Sequence, residues 1–129
     1  MSQQTITIYH NPKCSKSRET LKIVSEYCEQ HPEIQIEEIR YLENPPSSEI
    51  LKEVCQLLNV PVQEIIRTGE KLFKELGYTK ADLNHYDEEH WLNVLQKHSK
   101  LIERPIVQFN NKAVIGRPPE NVQALFKTE

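Results

Sequence analysis

The spacing of apolar and polar residues near the start of this chain is first typical of a strand, then of a helix, and then of a strand again. Residues 5–9 alternate between the two classes and are rich in β-branched side chains, which predicts a strand. An Asn-Pro pair within residues 10–13 predicts the turn that ends it. From residue 15 to about residue 30 apolar side chains recur at helical spacing, and His31-Pro32 ends this predicted helix. Residues 34–39 predict a second strand, and the crossover makes the two strands parallel.

Helical patterns fill the middle of the chain. Start signals for short helices recur at Ser47, Pro61 and Asp87, and Pro61 is expected at the first helical position. Residues 71–76 predict a further turn or two, which Gly77 ends. Apolar residues follow each signal at helical spacing. This part of the chain is therefore predicted to be a run of helices without strands.

The C-terminal part returns to strand patterns. Residues 105–109 and 112–115 flank Asn110-Asn111, which predicts a β-hairpin on a two-residue turn. A Pro-Pro pair then opens a last helix. The order β-α-β, helices, β-β-α predicts an α/β (α+β) fold in one domain, residues 1–129, with a helical insertion at about 47–98.

Composition excludes several classes of protein. The 129 residues are 37% hydrophobic and 27% charged, as in an ordinary globular domain. Because no apolar run could span a membrane and the first residues lack the apolar core of a secretory signal, we expect a cytoplasmic protein without a membrane or nucleic-acid partner. The three cysteines include no CxxC pair and no zinc-ligand spacing with histidine, so we expect free thiols and no metal.

Charge is distributed unevenly along the chain. Residues 1–18 carry three bases and no acid, residues 97–129 carry six bases and three acids, and residues 19–96 carry seven bases and sixteen acids. The two cationic ends would surround an anion if they met in space. The alternative is a chance distribution over a solvated surface.

Cys14 stands at the predicted start of the first helix and is the candidate nucleophile. A thiol reacts as its thiolate, and the unpaired N–H groups and positive dipole end of a helix start stabilise an anion. We expect the neighbouring Lys13, Lys16 and Arg18 to lower the pKa of the thiol further, and His10 could add a hydrogen bond or charge. An inert surface thiol is the alternative.

Cys28 and Cys55 fall on apolar stripes and are expected to be small core residues. Cys28 follows Cys14 by fourteen residues of one predicted helix, which is about 21 Å at ~1.5 Å per residue. A disulfide requires Cα atoms roughly 4.4–6.8 Å apart. An external thiol is therefore the simpler reductant for an oxidised Cys14.

Two Arg-Pro pairs bracket the predicted hairpin. Arg104 precedes Pro105, and Arg117 precedes Pro118. A residue before proline is held in extended geometry, and an arginine fork matches a tetrahedral oxyanion. The alternative is a pair of surface arginines beside structural prolines.

Five stretches of the chain together form a specific combination of motifs. They are YHNPKCSKSR (9–18), YLENPP (41–46), IIR (65–67), ERPIV (103–107) and IGRPPE (115–120). In the same order, these stretches resemble motifs of the glutaredoxin-coupled arsenate reductases of the ArsC type. The similarity extends from about residue 5 to residue 126, and the combination is far more specific than any one motif.

The resemblance implies a thioredoxin-like fold with a helical insertion, and it implies site residues. Cys14 would be the nucleophile, with His10 and Ser15 near it, and Pro105 would occupy the cis-proline position. The three arginines implied to hold arsenate or a similar oxyanion are Arg67, Arg104 and Arg117. The family uses glutathione as cosubstrate and glutaredoxin as partner, and no bound cofactor is implied.

Three functions follow as hypotheses. The first is reduction of arsenate to arsenite through a Cys14 adduct. The second is a general glutathione-dependent thiol oxidoreductase. The third is a non-catalytic regulator that binds RNA polymerase, like the related Spx-type proteins; many of these carry CxxC, whereas Ser17 stands at the second position here. The chain departs from plasmid-borne arsenate reductases, since Lys13, Ser15 and Lys16 flank the cysteine and the C-terminal tail is shorter. It resembles a chromosomal branch of the family, which leaves its substrate open.

Overall fold

Four strands form one mixed sheet in the computed structural model, which describes residues 4–126. Strand β1 (Gln4–His10) is central and pairs in parallel with β2 (Ile34–Arg40), residue for residue from Gln4 opposite Ile34. On its other side β1 pairs antiparallel with β3 (Ile106–Phe109), and β3 pairs with β4 (Lys112–Ile115). The strand order is β2-β1-β3-β4. The predicted parallel pair and hairpin are both present.

Helix α1 (Ser15–Glu29) is the crossover between the two parallel strands. Its buried residues are Ser17, Thr20 and Val24, so the face that it turns inward begins with small polar side chains and becomes apolar further on. The apolar part joins a cluster from the sheet and the C-terminal segment. The fully enclosed members of that cluster are Ile6, Ile8, Val24, Ile34, Val107, Phe109, Val122 and Leu125.

The β3–β4 hairpin turns on two asparagines. Asn110 has φ 52° and Asn111 has φ 61°, the left-handed conformation that a two-residue hairpin loop needs to match the twist of its strands. Asparagine tolerates this conformation better than most residues. The sequence therefore located this turn correctly.

The described chain divides into two compact units. The first comprises the residues up to Asn44 and those from Arg104 onward, and it contains the sheet and α1. The second comprises Pro45–Glu103, slightly wider than the helical insertion predicted at 47–98. The single domain over residues 1–129 stays a prediction, and residues 1–3 and 127–129 of it lie outside the described residues.

Short helices make up the second unit. Helix α2 (Ser48–Leu58) is capped by the Ser47 hydroxyl, which accepts from the Ile50 N–H at 3.2 Å. Helices α3 (Lys71–Glu75) and α4 (Glu88–Lys97) follow, and the Asp87 carboxylate caps α4 as predicted. The unit has its own buried set, which includes Leu51, Ile65, Phe73, Trp91, Leu95 and Leu101.

The structure corrects several details of the helix predictions. Pro61 is the N-cap of a 3-10 helix, Val62–Ile65, and not its first residue. The last predicted helix is a 3-10 helix, Pro119–Leu125. The 3-10 helices Lys80–Asn84 and Ser99–Leu101 were not predicted. Such short turns have too few residues to display a periodic pattern.

A helix that crosses a membrane must be both long and apolar. Among the helices that the described residues form, none is both long and apolar enough to cross a bilayer.

Candidate active site around Cys14

Cys14 is the N-cap residue of α1, in extended conformation and half-buried. Its backbone N–H donates to the Asn11 carbonyl at 3.0 Å, and its own carbonyl accepts from the Arg18 N–H at 3.0 Å. A tight turn and the first bond of the helix therefore hold the residue from both sides. The predicted place of Cys14, at the start of the first helix, is confirmed.

Asn11 fixes the turn before the cysteine. Its side-chain oxygen accepts from the backbone N–H of Lys13 at 3.0 Å, a local bond that favours a turn over regular structure. Its own backbone N–H donates to the hydroxyl of Ser17 at 3.0 Å. The turn is thus tied to the first turn of α1.

His10 ends β1 and is buried beside the same hydroxyl. Its Nδ1 lies 2.6 Å from Ser17 Oγ, and both side chains are nearly inaccessible, at 4% and 0% exposed. Burial lowers the pKa of His10; Glu38 opposes this effect, while Arg40 and Arg18 add to it. The imidazole is therefore held preferentially in its neutral form.

The surroundings of Cys14 favour its thiolate. Partial burial raises the pKa of the thiol, but the backbone N–H of Ser17, the charge of Arg104, the N–H of Lys16 and a hydrogen bond from Arg104 lower it by more. The thiol does not cap the helix with a full hydrogen bond. The net result is a pKa below the usual cysteine value.

The N–H groups at the helix start lower the pKa of Cys14 as expected from the sequence, but the charge that lowers it is not the expected one. Lys13, Lys16 and Arg18 all have exposed side chains, and their charges are not among the causes of the shift. The Arg18 guanidinium donates instead to the Pro12 carbonyl at 2.9 Å. Solvent screens exposed charges strongly, so nearness in sequence misled the prediction here.

Arg104 and Pro105 directly precede β3, and Arg104 lies close to Cys14 although 90 residues separate the two in sequence. The Arg104–Pro105 bond is cis, as the resemblance implies. Arg104 is half-buried, and its charge and hydrogen bond act on the Cys14 sulfur. The structure therefore brings together two of the predicted site residues, Cys14 and Arg104.

Arg117 lies on the loop after β4 and is exposed. Its backbone N–H donates to the Ile115 carbonyl at 2.9 Å, and its carbonyl accepts from the Asn121 side chain at 3.2 Å. The Arg117–Pro118 bond is also cis. Hydrogen bonds therefore hold the backbone of Arg117 in place, while the residue itself is exposed to solvent.

Arg67 belongs to the second unit and is bound within it. Its Nη2 lies 2.9 Å from a Glu70 carboxylate oxygen, and its Nη1 donates to the Lys100 carbonyl at 3.2 Å. The Lys100 ammonium lies 3.3 Å from the other Glu70 oxygen. The proposed contribution of Arg67 to oxyanion binding stays a prediction.

Comparison with known proteins identifies the family. A model of the ArsC family matches residues 9–125. The chain belongs to the ArsC family.

Individual relatives of this ArsC-family chain cover nearly its whole length. The uncharacterized protein YfgD of Escherichia coli strain K12 is 41% identical over 118 residues, which are 91% of this chain and 92% of that protein. An arsenate reductase of Neisseria meningitidis serogroup A is 38% identical over 122 residues, 94% of this chain and 97% of the relative.

A solved structure confirms the fold class. An arsenate reductase from Vibrio cholerae superposes with a TM-score of 0.81 at 40% identity, covering 96% of this chain and 99% of that one. Together with the mixed four-stranded sheet and its helices, this similarity confirms the predicted α/β, thioredoxin-like fold.

The thiols of the other two cysteines of the ArsC-family chain have raised pKa values, in contrast to Cys14. Cys28 is half-buried against the core cluster, and burial raises the pKa of its thiol. Cys55 is buried, and burial together with the charge of Glu88 raises its pKa to about 11. Neither environment favours a thiolate.

Ser17 is the site residue that the sequence analysis missed. The prediction named Ser15, which is exposed at the first helical position. Ser17 is fully buried, bonds His10 and Asn11 through its hydroxyl, and presents its N–H to Cys14. Its position three residues after the N-cap cysteine is the signal, because the N–H of that residue is the one directed at a capping side chain.

Metal ligands do not converge in the described part of the ArsC-family chain. Across residues 4–126, no three His, Cys, Asp or Glu side chains lie close enough to hold an ion.

Proposed function

We propose that this chain reduces arsenate to arsenite with Cys14 as the nucleophile. The observation that carries the proposal is the Cys14 thiol, with a lowered pKa, beside Arg104 in an ArsC-family chain. Relatives named arsenate reductase that match nearly the whole chain, and a solved structure of the same name, support this activity. They also support the assignment of the chain as an oxidoreductase.

The first step is attack of the Cys14 sulfur on As(V). A sulfur–arsenic bond forms, and an arsenic oxygen leaves as water after gaining protons. Two anions must approach each other in this step, so a cation between them lowers the barrier. Arg104 supplies that charge at the sulfur, and Arg117 is the second arginine proposed to hold the oxyanion, whereas the role of Arg67 stays a prediction from the resemblance.

The second step transfers two electrons to arsenic. A glutathione thiol attacks the Cys14 sulfur, the sulfur–arsenic bond breaks with its electron pair on arsenic, and arsenite leaves as As(III). The two sulfurs are oxidised to a mixed disulfide, which glutaredoxin then reduces by thiol–disulfide exchange. A glutathione-dependent cycle requires a reducing compartment, and we propose the cytoplasm.

The supporting residues have distinct parts in this scheme. The Ser17 N–H and Arg104 stabilise the thiolate before attack. The buried His10–Ser17 pair orients the first turn of α1 and places the N–H toward the sulfur. Cys28 and Cys55 have no part, because their pKa values are raised.

The test is arsenite formation from arsenate in the presence of glutathione and glutaredoxin. Wild type should turn over, Cys14→Ser should not, and Cys28→Ser should retain the wild-type rate. Omitting glutaredoxin should stop the cycle with Cys14 as a glutathione mixed disulfide, visible as a mass increase.

Two other outcomes would decide for the alternatives. Reduction of small glutathione mixed disulfides without any arsenate turnover would indicate a general thiol oxidoreductase. Absence of both reactions, with binding to RNA polymerase, would indicate the Spx-like regulator.

A further inference from the structure

Gly116 lies between α1 and the Arg104–Pro105 segment and is in close contact with both. It is buried, and a Cβ atom placed on it would lie 2.6 Å from Thr20 Oγ1 and 3.0 Å from Thr20 Cγ2. The same Cβ would lie 3.0 Å from Pro105 Cγ. No side chain fits there unless one of these neighbours moves.

Hydrogen bonds reinforce the contact on both sides. The Gly116 N–H donates to the Pro105 carbonyl at 2.9 Å. The Gly116 carbonyl accepts from the Thr20 hydroxyl at 3.3 Å, and that hydroxyl also bonds the Lys16 carbonyl at 2.8 Å. Thr20 is fully buried, so its polar group needs these partners. Gly116 is thus bonded to α1 and to the Pro105 segment.

The three joined segments are the ones that carry the chemistry. Cys14 is the N-cap of α1, Pro105 directly follows Arg104, and Gly116 directly precedes Arg117. The separation between α1 and the other two segments therefore determines where both arginines lie relative to the sulfur. A tightly packed contact fixes such a separation because close-packed atoms have little freedom to shift.

We propose that Gly116 and Thr20 are positioning residues whose close approach sets the distance of Arg104 and Arg117 from the Cys14 sulfur. The consequence for oxyanion reduction rests on the proposed function. The consequence for the thiol itself does not, because Arg104 acts on Cys14 in the absence of any substrate.

The first test is Gly116→Ala. Its methyl group pushes α1 and the Pro105 segment apart and moves Arg104 away from the sulfur. We expect the pH midpoint of Cys14 alkylation, followed by peptide-resolved mass spectrometry, to rise. We expect kcat/KM for arsenate to fall about 10- to 100-fold, as for a misplacement of roughly 1 Å.

The decisive variant is the double substitution Gly116→Ala with Thr20→Ala. Thr20→Ala removes two of the three atoms nearest to the new methyl group, both on α1, and leaves the third, Pro105 Cγ at 3.0 Å. The double variant should return the alkylation midpoint and kcat/KM toward wild type. Gly69→Ala is the matched control, since a Cβ there would have no atom within 4 Å, and it should behave as wild type.

If Gly116→Ala does not fold, the test can start from Thr20→Ala instead and ask whether adding Gly116→Ala corrects its effect. Thr20→Ala alone leaves a gap beside Gly116 and should shift the Cys14 midpoint upward, and adding Gly116→Ala should partly reverse that shift. A loss of packing stability alone would lower the melting temperature without moving the midpoint.

Two results would overturn the proposal. One is a folded Gly116→Ala protein with the wild-type midpoint and kcat/KM. The other is a double variant whose midpoint lies further from wild type than that of either folded single variant. If the midpoints respond as expected while wild type reduces no arsenate, the positioning role stands and the proposed function fails.

Discussion

The Nδ1 atom of His10 lies 2.6 Å from the hydroxyl oxygen of Ser17, and both residues are buried. The same hydroxyl accepts from the Asn11 N–H at 3.0 Å, while the Ser17 N–H lowers the pKa of Cys14. One serine therefore connects the end of β1, the turn and the reactive thiol. The first turn of α1 is held in place before any substrate binds, so the protein does not have to order it during the reaction.

This contact predicts a pH dependence of stability. Because burial lowers the pKa of His10 below the value of about 6.5 in the unfolded chain, the unfolded chain binds more protons between the two values. The stabilisation is complete above about pH 6.5 and is lost as the pH falls through the folded-state pKa. The urea midpoint of wild type should therefore fall faster on acidification than that of His10→Asn.

His10→Asn is a matched comparison because the amide can still bond Ser17 but does not titrate. Carboxylates titrate equally in both proteins, so their effect cancels in the difference between the two urea midpoints. A difference in urea midpoint that stays constant from about pH 8 to about pH 5 would contradict the assignment.

A second prediction concerns the groups that lower the pKa of Cys14. The alkylation midpoint of wild type should lie below the ~8.5 of a free cysteine. Arg104→Gln removes a charge and a hydrogen bond at the sulfur and should raise the midpoint. Lys16→Ala removes only an exposed charge, keeps the backbone N–H, and should leave the midpoint close to wild type.

The comparison between these two variants separates the structural explanation from the one based on sequence proximity. Equal shifts in Arg104→Gln and Lys16→Ala would restore the expectation that the basic residues beside Cys14 control its pKa. A wild-type midpoint at or above ~8.5 would exclude an activated thiol altogether.

The fold was largely predictable because its elements have regular patterns. Alternating residues predicted β1, helical spacing predicted α1, and Asn110-Asn111 located the hairpin turn. What the sequence did not predict were the 3-10 helices Lys80–Asn84 and Ser99–Leu101, since one short turn displays no period.

The site was less predictable than the fold because its key contacts join distant residues. Cys14 was located by its place before a helix, which is a local property. The effect of Arg104 on it depends on a pairing of β1 with β3 across most of the chain. Thr20 looked like an ordinary polar residue of a helix, and its burial shows its importance, whereas Ser17 has a sequence signal only in its distance from the N-cap cysteine.

A third prediction concerns the geometry of the arginines. Arg104→Lys and Arg117→Lys keep the charge but lose the planar fork that matches an oxyanion. Each should lower kcat/KM for arsenate about tenfold or more, which is less than the roughly 10²–10³-fold effect of losing an oxyanion donor because the charge is kept. The melting temperature of each variant should change little by comparison.

Kinetics and stability together separate the two interpretations of the Arg-Pro pairs. Wild-type kcat/KM in both variants would show that neither arginine binds substrate through its fork. A large fall in melting temperature with unchanged kcat/KM would show that the arginines are structural. Arg104→Lys is more prone than Arg117→Lys to a fall in melting temperature, because Arg104 is half-buried whereas Arg117 is exposed.

The last prediction is that turnover requires one cysteine of the protein. Cys14 and Cys28 lie at opposite ends of α1, which is continuous from Ser15 to Glu29, so about 21 Å separates their Cα atoms. A disulfide requires roughly 4.4–6.8 Å, and α1 would have to unwind and expose its apolar face to allow one. The raised pKa of Cys55, about 11, also disfavours attack by that thiol.

A protein with Cys28→Ser and Cys55→Ala, in which alanine avoids burying a hydroxyl at the second position, should keep most of the wild-type activity with glutathione and glutaredoxin. Cys14→Ser alone should be inactive at an unchanged melting temperature. Mass spectrometry of the trapped wild-type enzyme should show one glutathione on Cys14, whereas a Cys14–Cys28 or Cys14–Cys55 disulfide, together with a folded but inactive double variant, would establish an intramolecular relay instead.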